Sequence, residues 1–208
     1  MSALAPERLS LSGLRARFAA GGDWRPELTD DSDAASVAAP RHAAVLMPLV
    51  EIDGRGHLLL TTRPKHLRSH SGQIALPGGR VEEHDTHRVA TALRETHEEI
   101  GLSPAAVEVL GELPEYQTAS GFAITTIVGW IDHLPELTPD PGEVDEVFFV
   151  PISFLMDPAN HQRLRMPSEF AERSVYAMPW RAPGSRVEYF IWGVTAAILR
   201  NFFHFVRG

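Results

Sequence analysis

The chain has 208 residues, 44% apolar and 22% charged content, a net charge of −8 and no cysteine. That length and composition suit a single globular domain with enough chain to bury a substantial core. The acidic balance argues against a general binder of nucleic acid or membrane surfaces, and the missing thiols exclude disulfides and thiolate chemistry while fitting a cytoplasmic protein.

Residues 1–40 read as an N-terminal appendage, with the main domain at 41–208. Leu9, Leu11, Leu14 and Phe18 mark one short amphipathic helix ending at Gly21-Gly22. Residues 23–40 carry Pro26, Pro40 and the cluster Asp30, Asp31 and Asp33, which reads as a solvated surface loop. No leader pattern is expected at the N-terminus, and no apolar run approaches the ~18 residues of a membrane span.

Ala43–Val50 is a continuous apolar run that predicts a buried strand, and His57–Thr62 predicts its hairpin partner across Asp53-Gly54. Arg63, Lys65 and Arg68 then set three cations close together in an acidic protein, a pattern suited to phosphate oxygens. Pro77-Gly78-Gly79 predicts a turn, and a helix is expected from about Thr86 to Ile100, capped by Asp85 or Thr86 and closed by Gly101. Val89, Ala92, Leu93, Thr96 and Ile100 share one face of it, with Glu95, Glu98 and Glu99 on the opposite side. Further strands are expected at Val107–Leu113, Ile124–Ile131 and Val144–Val150, and a short helix over Pro151–Met156. Strand-like pieces follow at Arg163–Met166, Ser174–Met178 and Val187–Ile191. Gly193–Phe205 closes the chain as a nearly all-round apolar helix, suited to core packing or a homodimer contact. Strands flanked by helices predict an α/β/α sandwich with a mixed sheet.

The three glutamates carry a penalty that points to chemistry. At spacings of three and four their charges repel by a few tenths of a kcal/mol per pair, and an anion in a last helical turn opposes the dipole by roughly 0.3–1 kcal/mol. A hard divalent cation such as Mg²⁺ would reverse both terms. Taken alone, the pattern also suits a plain solvated acidic face. His66, His70, His84, His87 and His97 crowd the same stretch without forming a metal-ligand spacing.

Read together, Gly79, Arg94, Glu95, Glu98, Glu99, Gly101 and Leu102 resemble the Nudix box of hydrolases that cut a diphosphate linked to another moiety. Asp85 stands at the first acidic position, one residue further from Arg94 than in the general pattern, and Thr96 replaces an aliphatic residue. The run from Leu59 to Gly79 is similar to the extra motif of coenzyme A pyrophosphatases within that family, with Pro64 and Leu76 departing from it. The resemblance implies a Nudix-type α/β fold and a Mg²⁺- or Mn²⁺-dependent hydrolase. Its substrate would be coenzyme A, acyl-CoA or oxidised CoA, split to 4′-phosphopantetheine and adenosine 3′,5′-bisphosphate. It also implies metal ligation by Glu95, Glu98, Glu99 and the Gly79 carbonyl, and substrate contacts from Arg63, Arg68 and Gly78, with Lys65 a further candidate by its charge alone. Arg94 would orient carboxylates through Asp85 or Glu98. The general base is left open between a helix glutamate and a distal acid, Glu143 or Glu146. Two other readings are open: a hydrolase of an ADP-sugar, dinucleoside polyphosphate or nucleoside triphosphate, and an inactive ligand-sensing module.

Overall fold

The computed structural model describes residues 2–21, 24, 26–27, 39–66, 71–166 and 173–208. A 3₁₀ turn at Pro6–Leu9 leads into α1, Leu11–Ala20. There follow β1 (Arg41–Ile52), β2 (Arg55–Thr62), β3 (Ile74–Ala75), β4 (Gly78–Arg80) and α2 (Arg88–Ile100). Next come β5 (Glu108–Gln117), β6 (Phe122–Ile131), β7 (Glu146–Pro151) and α3 (Ile152–Leu155). The chain ends with β8 (Gln162–Met166), β9 (Arg173–Trp180), β10 (Tyr189–Trp192) and α4 (Gly193–Arg207).

Seven strands form one mixed sheet. β1 lies parallel to β6, and every other pairing in it is antiparallel. The β1–β2 hairpin closes as its Asp-Gly dipeptide predicts, with Asp53 and Gly54 both at positive φ (50° and 70°). Beyond the turn the two strands separate, and the segment carrying β3 and β4 fills the gap. β3 pairs with the C-terminal end of β2, and β4 with the N-terminal part of β1, both away from the turn. This overturns the expected Gly-Gly turn, because Gly78 and Gly79 lie in a strand opposite Val45 and Ala44. Gly78 sits there at φ 145° with the backbone of Ala44 and Val45 pressed against its α-carbon, so no side chain fits.

Both faces of the sheet are covered, which is why β1 reads as an unbroken apolar run. Ala44, Leu46, Val50, Leu59, Ile127 and Ile131 pack under α2 with Ala92 and Ile100. Met47, Leu49, Leu58, Leu60, Val128 and Val150 face the other way, into a larger core built on α4. The result is the expected α/β/α sandwich. The three late strands do not extend the main sheet; they pair as a separate antiparallel sheet in the order β10-β9-β8, packed with α4. Leu9 and Leu14 are buried in the α4-side core, so α1 is integral to that layer. No helix among the described residues is long and apolar enough to cross a membrane.

Candidate active site

The site is assembled where β1 and β2 part. α2 crosses this gap with its C-terminal turns above β4. Its N-terminus is capped by His87, whose Nδ1 accepts from the Ala90 N–H at 3.0 Å, and not by Asp85 or Thr86. Asp85 is otherwise engaged. Its carboxylate accepts from Arg94 Nε (3.0 Å) and Nη2 (2.9 Å), from the Thr91 hydroxyl and from the Glu82 N–H (both 2.9 Å). With 3% of its side chain exposed, this bidentate pair is shielded from water. Arg94 thereby holds the Asp85 carboxyl well below the usual carboxylate range.

The rest of the Arg94 fork serves the glutamates. Its Nη1 donates to Glu95 Oε1 and to Glu98 Oε2, both at 3.0 Å. One guanidinium therefore bridges Asp85, Glu95 and Glu98. Glu98 is exposed and Glu95 partly buried. Burial raises the Glu95 carboxyl, which Arg94 opposes. Gly79 makes room for it, since a Cβ at that position would occupy the space of the Glu95 carboxylate.

Glu99 departs from the expected solvent-facing side. Only 6% of its side chain is exposed, and it points into the strand gap. There Oε2 accepts from the Gly78 N–H at 3.1 Å, while Oε1 lies 4.0 Å from Arg63 Nη1. Burial pushes this carboxyl up to about 7, and the negative charges of Glu143 and Glu95 add to the shift against the opposing Gly78 bond and Arg63. Arg63 is fixed by backbone pairing to Gln73 and Gly72, and its Nε is buried with no hydrogen-bond partner among the described residues.

The other expected residues separate cleanly. Lys65 is exposed. Arg68 and His70 lie outside the described residues, as do Asp30, Asp31 and Asp33. Glu143 acts electrostatically on both Glu95 and Glu99. Glu146 does not join them: two residues before Phe148 on β7, it lies on the α4 side of the sheet, where it accepts from the Tyr189 hydroxyl at 2.7 Å. That bond lifts the Tyr189 hydroxyl to about 12. His84 stays at the surface near Glu82, and His97 is exposed.

The carboxylates are spread around Arg94 and the Gly78 N–H, and no three His, Asp or Glu side chains among the described residues converge as a ready ligand set. The donor chemistry nonetheless suits a hard divalent ion: all-oxygen groups, a buried carboxylate with incomplete charge compensation, and a glycine cleared for Glu95.

Sequence reasoning named Glu143 but not the way the segment from Thr138 to Asp145 joins these parts. Its Pro-Asp-Pro-Gly run signals a turn, but nothing local says that the turn docks on the end of α2.

Residues 40–170 match the family model described as the NUDIX domain. A protein from Enterobacter sp. (strain 638), named uncharacterized Nudix hydrolase NudL, is 38% identical over 177 residues, covering 85% of this chain and 86% of its own. A Salmonella newport protein of the same name is 37% identical over 194 residues, 93% of each chain. A solved Nudix hydrolase from M. smegmatis, RenU, is 23% identical with a TM-score of 0.48, covering 64% of this chain and 81% of that one. The last likeness is too weak to carry the assignment, which rests on the sequence matches. Matched along more than half its length by the family model, and along most of it by named hydrolases, the chain belongs to the Nudix hydrolases, enzymes that act on nucleoside diphosphate derivatives.

Proposed function

We propose that this enzyme hydrolyses the diphosphate bond of coenzyme A, including its acyl or oxidised forms, in a Mg²⁺- or Mn²⁺-dependent reaction. The products would be 4′-phosphopantetheine and adenosine 3′,5′-bisphosphate. One observation carries the reading: Arg63, from the segment that resembles coenzyme A pyrophosphatases, stands 4.0 Å from the buried Glu99. A cation suited to phosphate therefore lies beside a buried glutamate of the box. Coenzyme A has a diphosphate and a separate 3′-phosphate, so it calls for several such cations; Arg63 is joined in sequence by Arg68 and Lys65.

Glu95, Glu98 and Glu99, with the Gly79 carbonyl, would hold the ion, and Glu95 and Glu98 would each have to loosen a bond to Arg94 to do so. A bound divalent ion neutralises diphosphate charge, acidifies a water and stabilises the leaving phosphate. The chain's own residues supply position and proton transfer. Arg94, locked by Asp85, keeps Glu95 and Glu98 facing the cleft. Arg63 binds a phosphate oxygen through its planar guanidinium fork. Of the two distal acids, Glu143 reaches the cluster with its charge while Glu146 is held by Tyr189. The water's proton therefore goes to Glu143 or to a helix glutamate.

Incubation with coenzyme A and Mg²⁺, followed by mass spectrometry, tests this directly and should yield both named products. Turnover of an ADP-sugar, a dinucleoside polyphosphate or a nucleoside triphosphate with coenzyme A left intact would move the enzyme to another substrate. No metal-dependent turnover across that panel would make the chain a ligand-sensing module.

A further inference from the structure

The segment from Thr138 to Asp145 is fastened to the ends of both α2 and β2. The Thr138 N–H donates to the Ile100 carbonyl at 3.0 Å and the Asp140 N–H to the Glu99 carbonyl at 2.9 Å. These bonds occupy two carbonyls that a helix end otherwise leaves open. Gly101 admits the contact. It adopts φ 72°, and a Cβ there would run into Thr138, 3.0 Å from its nitrogen and 3.2 Å from its Cβ. At the other end, the Asp145 N–H donates to the Thr62 carbonyl at 2.8 Å, next to Arg63.

Between these anchors, Asp140 organises a tight turn. Its Oδ1 accepts from the Gly142 N–H at 2.7 Å, and its carbonyl accepts from the Glu143 N–H (3.0 Å) and the Val144 N–H (2.8 Å). Val144 is buried in the α2-side core, which pins the end of the turn. Glu143 is thus held between the helix that carries Glu99 and the strand end that carries Arg63.

We propose that Asp140 is a positioning residue of the site: the turn it builds sets the Glu143 carboxylate against Glu95 and Glu99, and its side chain acts only through Glu143. This rests on the metal-dependent reading above and extends it to a residue outside the box and the basic segment. Asp140 touches neither substrate nor cation. Its effect is to keep a negative charge where the cluster holds its ion.

The test is Mn²⁺ binding by the substrate-free protein, read from the electron paramagnetic resonance signal of the free ion. Loss of an outer-shell partner costs about 10- to 100-fold in metal affinity. Glu143→Gln and Asp140→Ala should each weaken Mn²⁺ binding on that scale, and Asp140→Asn, which keeps the acceptor oxygen, should restore it. Asp140→Ala should add nothing in the Glu143→Gln background. Melting curves check folding, and Asp140→Glu, which displaces the acceptor by one methylene, replaces the Ala variant in the cycle if that variant does not fold. Wild-type affinity in Asp140→Ala, or a full additional loss on top of Glu143→Gln, would overturn the inference while leaving the metal-dependent reading intact. Wild-type protein that takes up no Mn²⁺ would overturn that reading, and the inference with it.

Discussion

At the scale of single residues, the three box glutamates differ more than their spacing suggests. Glu98 is exposed and paired with Arg94, whereas Glu99 is buried with its acid form favoured up to about pH 7. An acid whose folded value is raised stabilises the protein below its ordinary range near pH 4.5, and this contribution is lost as pH rises through about 7. In chelator-treated protein, Glu99→Gln should therefore raise stability above pH 7, by on the order of 3 kcal/mol, and flatten its pH dependence. Glu98→Gln should bring no such gain, since it removes a partner of Arg94. Both should abolish most metal-dependent turnover. Denaturant melts at pH 5 and pH 8 separate the two variants, and equal responses would contradict the burial of Glu99. Arg63→Ala should raise the KM for coenzyme A about ten- to hundredfold, as loss of a charged hydrogen-bond partner costs roughly 1.5–3 kcal/mol. Steady-state kinetics with coenzyme A and 3′-dephospho-coenzyme A show which phosphate it reads.

At the scale of elements, the two glycines of β4 have different jobs. A side chain on Gly78 would strike the backbone of β1 at a φ that disfavours any L-residue, whereas one on Gly79 would first strike the movable end of Glu95. Gly78→Ala should consequently lower stability by several kcal/mol, since strain of about 1–3 kcal/mol is joined by a backbone clash. Gly79→Ala should melt near wild type yet lose activity, because Glu95 is displaced. Thermal melts beside turnover assays distinguish the two, and a fully active Gly79→Ala would remove Glu95 from the site. The helix start teaches a related lesson. Asp85 has the chemistry of a cap, but Arg94 and Thr91 claim its carboxylate and His87 caps instead.

At the scale of the whole molecule, the described part of the N-terminal segment belongs to the α4 layer. Leu14 is fully buried, Phe18 packs at a tilt against Phe205, and Glu27 gathers Tyr176 and Arg200 at 2.8 and 2.7 Å. Leu14→Ala should cost about 2–5 kcal/mol, as for a core leucine. A change near zero in a urea melt would mean that α1 rides loosely on the domain.

The sequence alone determined the signal-bearing parts. The continuous apolar run of β1, the Asp53-Gly54 hairpin, the period of α2, and the fixed order of Gly79, Arg94 and the three glutamates are all local, and local patterns survive without coordinates. It also foretold the layered α/β class, because strands covered on both faces carry no polar alternation. Only the tertiary structure decided that β4 is a strand wedged between parting partners, that Glu99 turns inward, and that the last three strands form their own sheet. It likewise separated Glu143 from Glu146, three residues apart in sequence but differently engaged: the first sits in a turn tied to α2, the second on the opposite side of the sheet under Tyr189. Such choices depend on which backbone groups and charges distant segments offer one another, and burial and hydrogen-bond competition of that kind have no period along the chain.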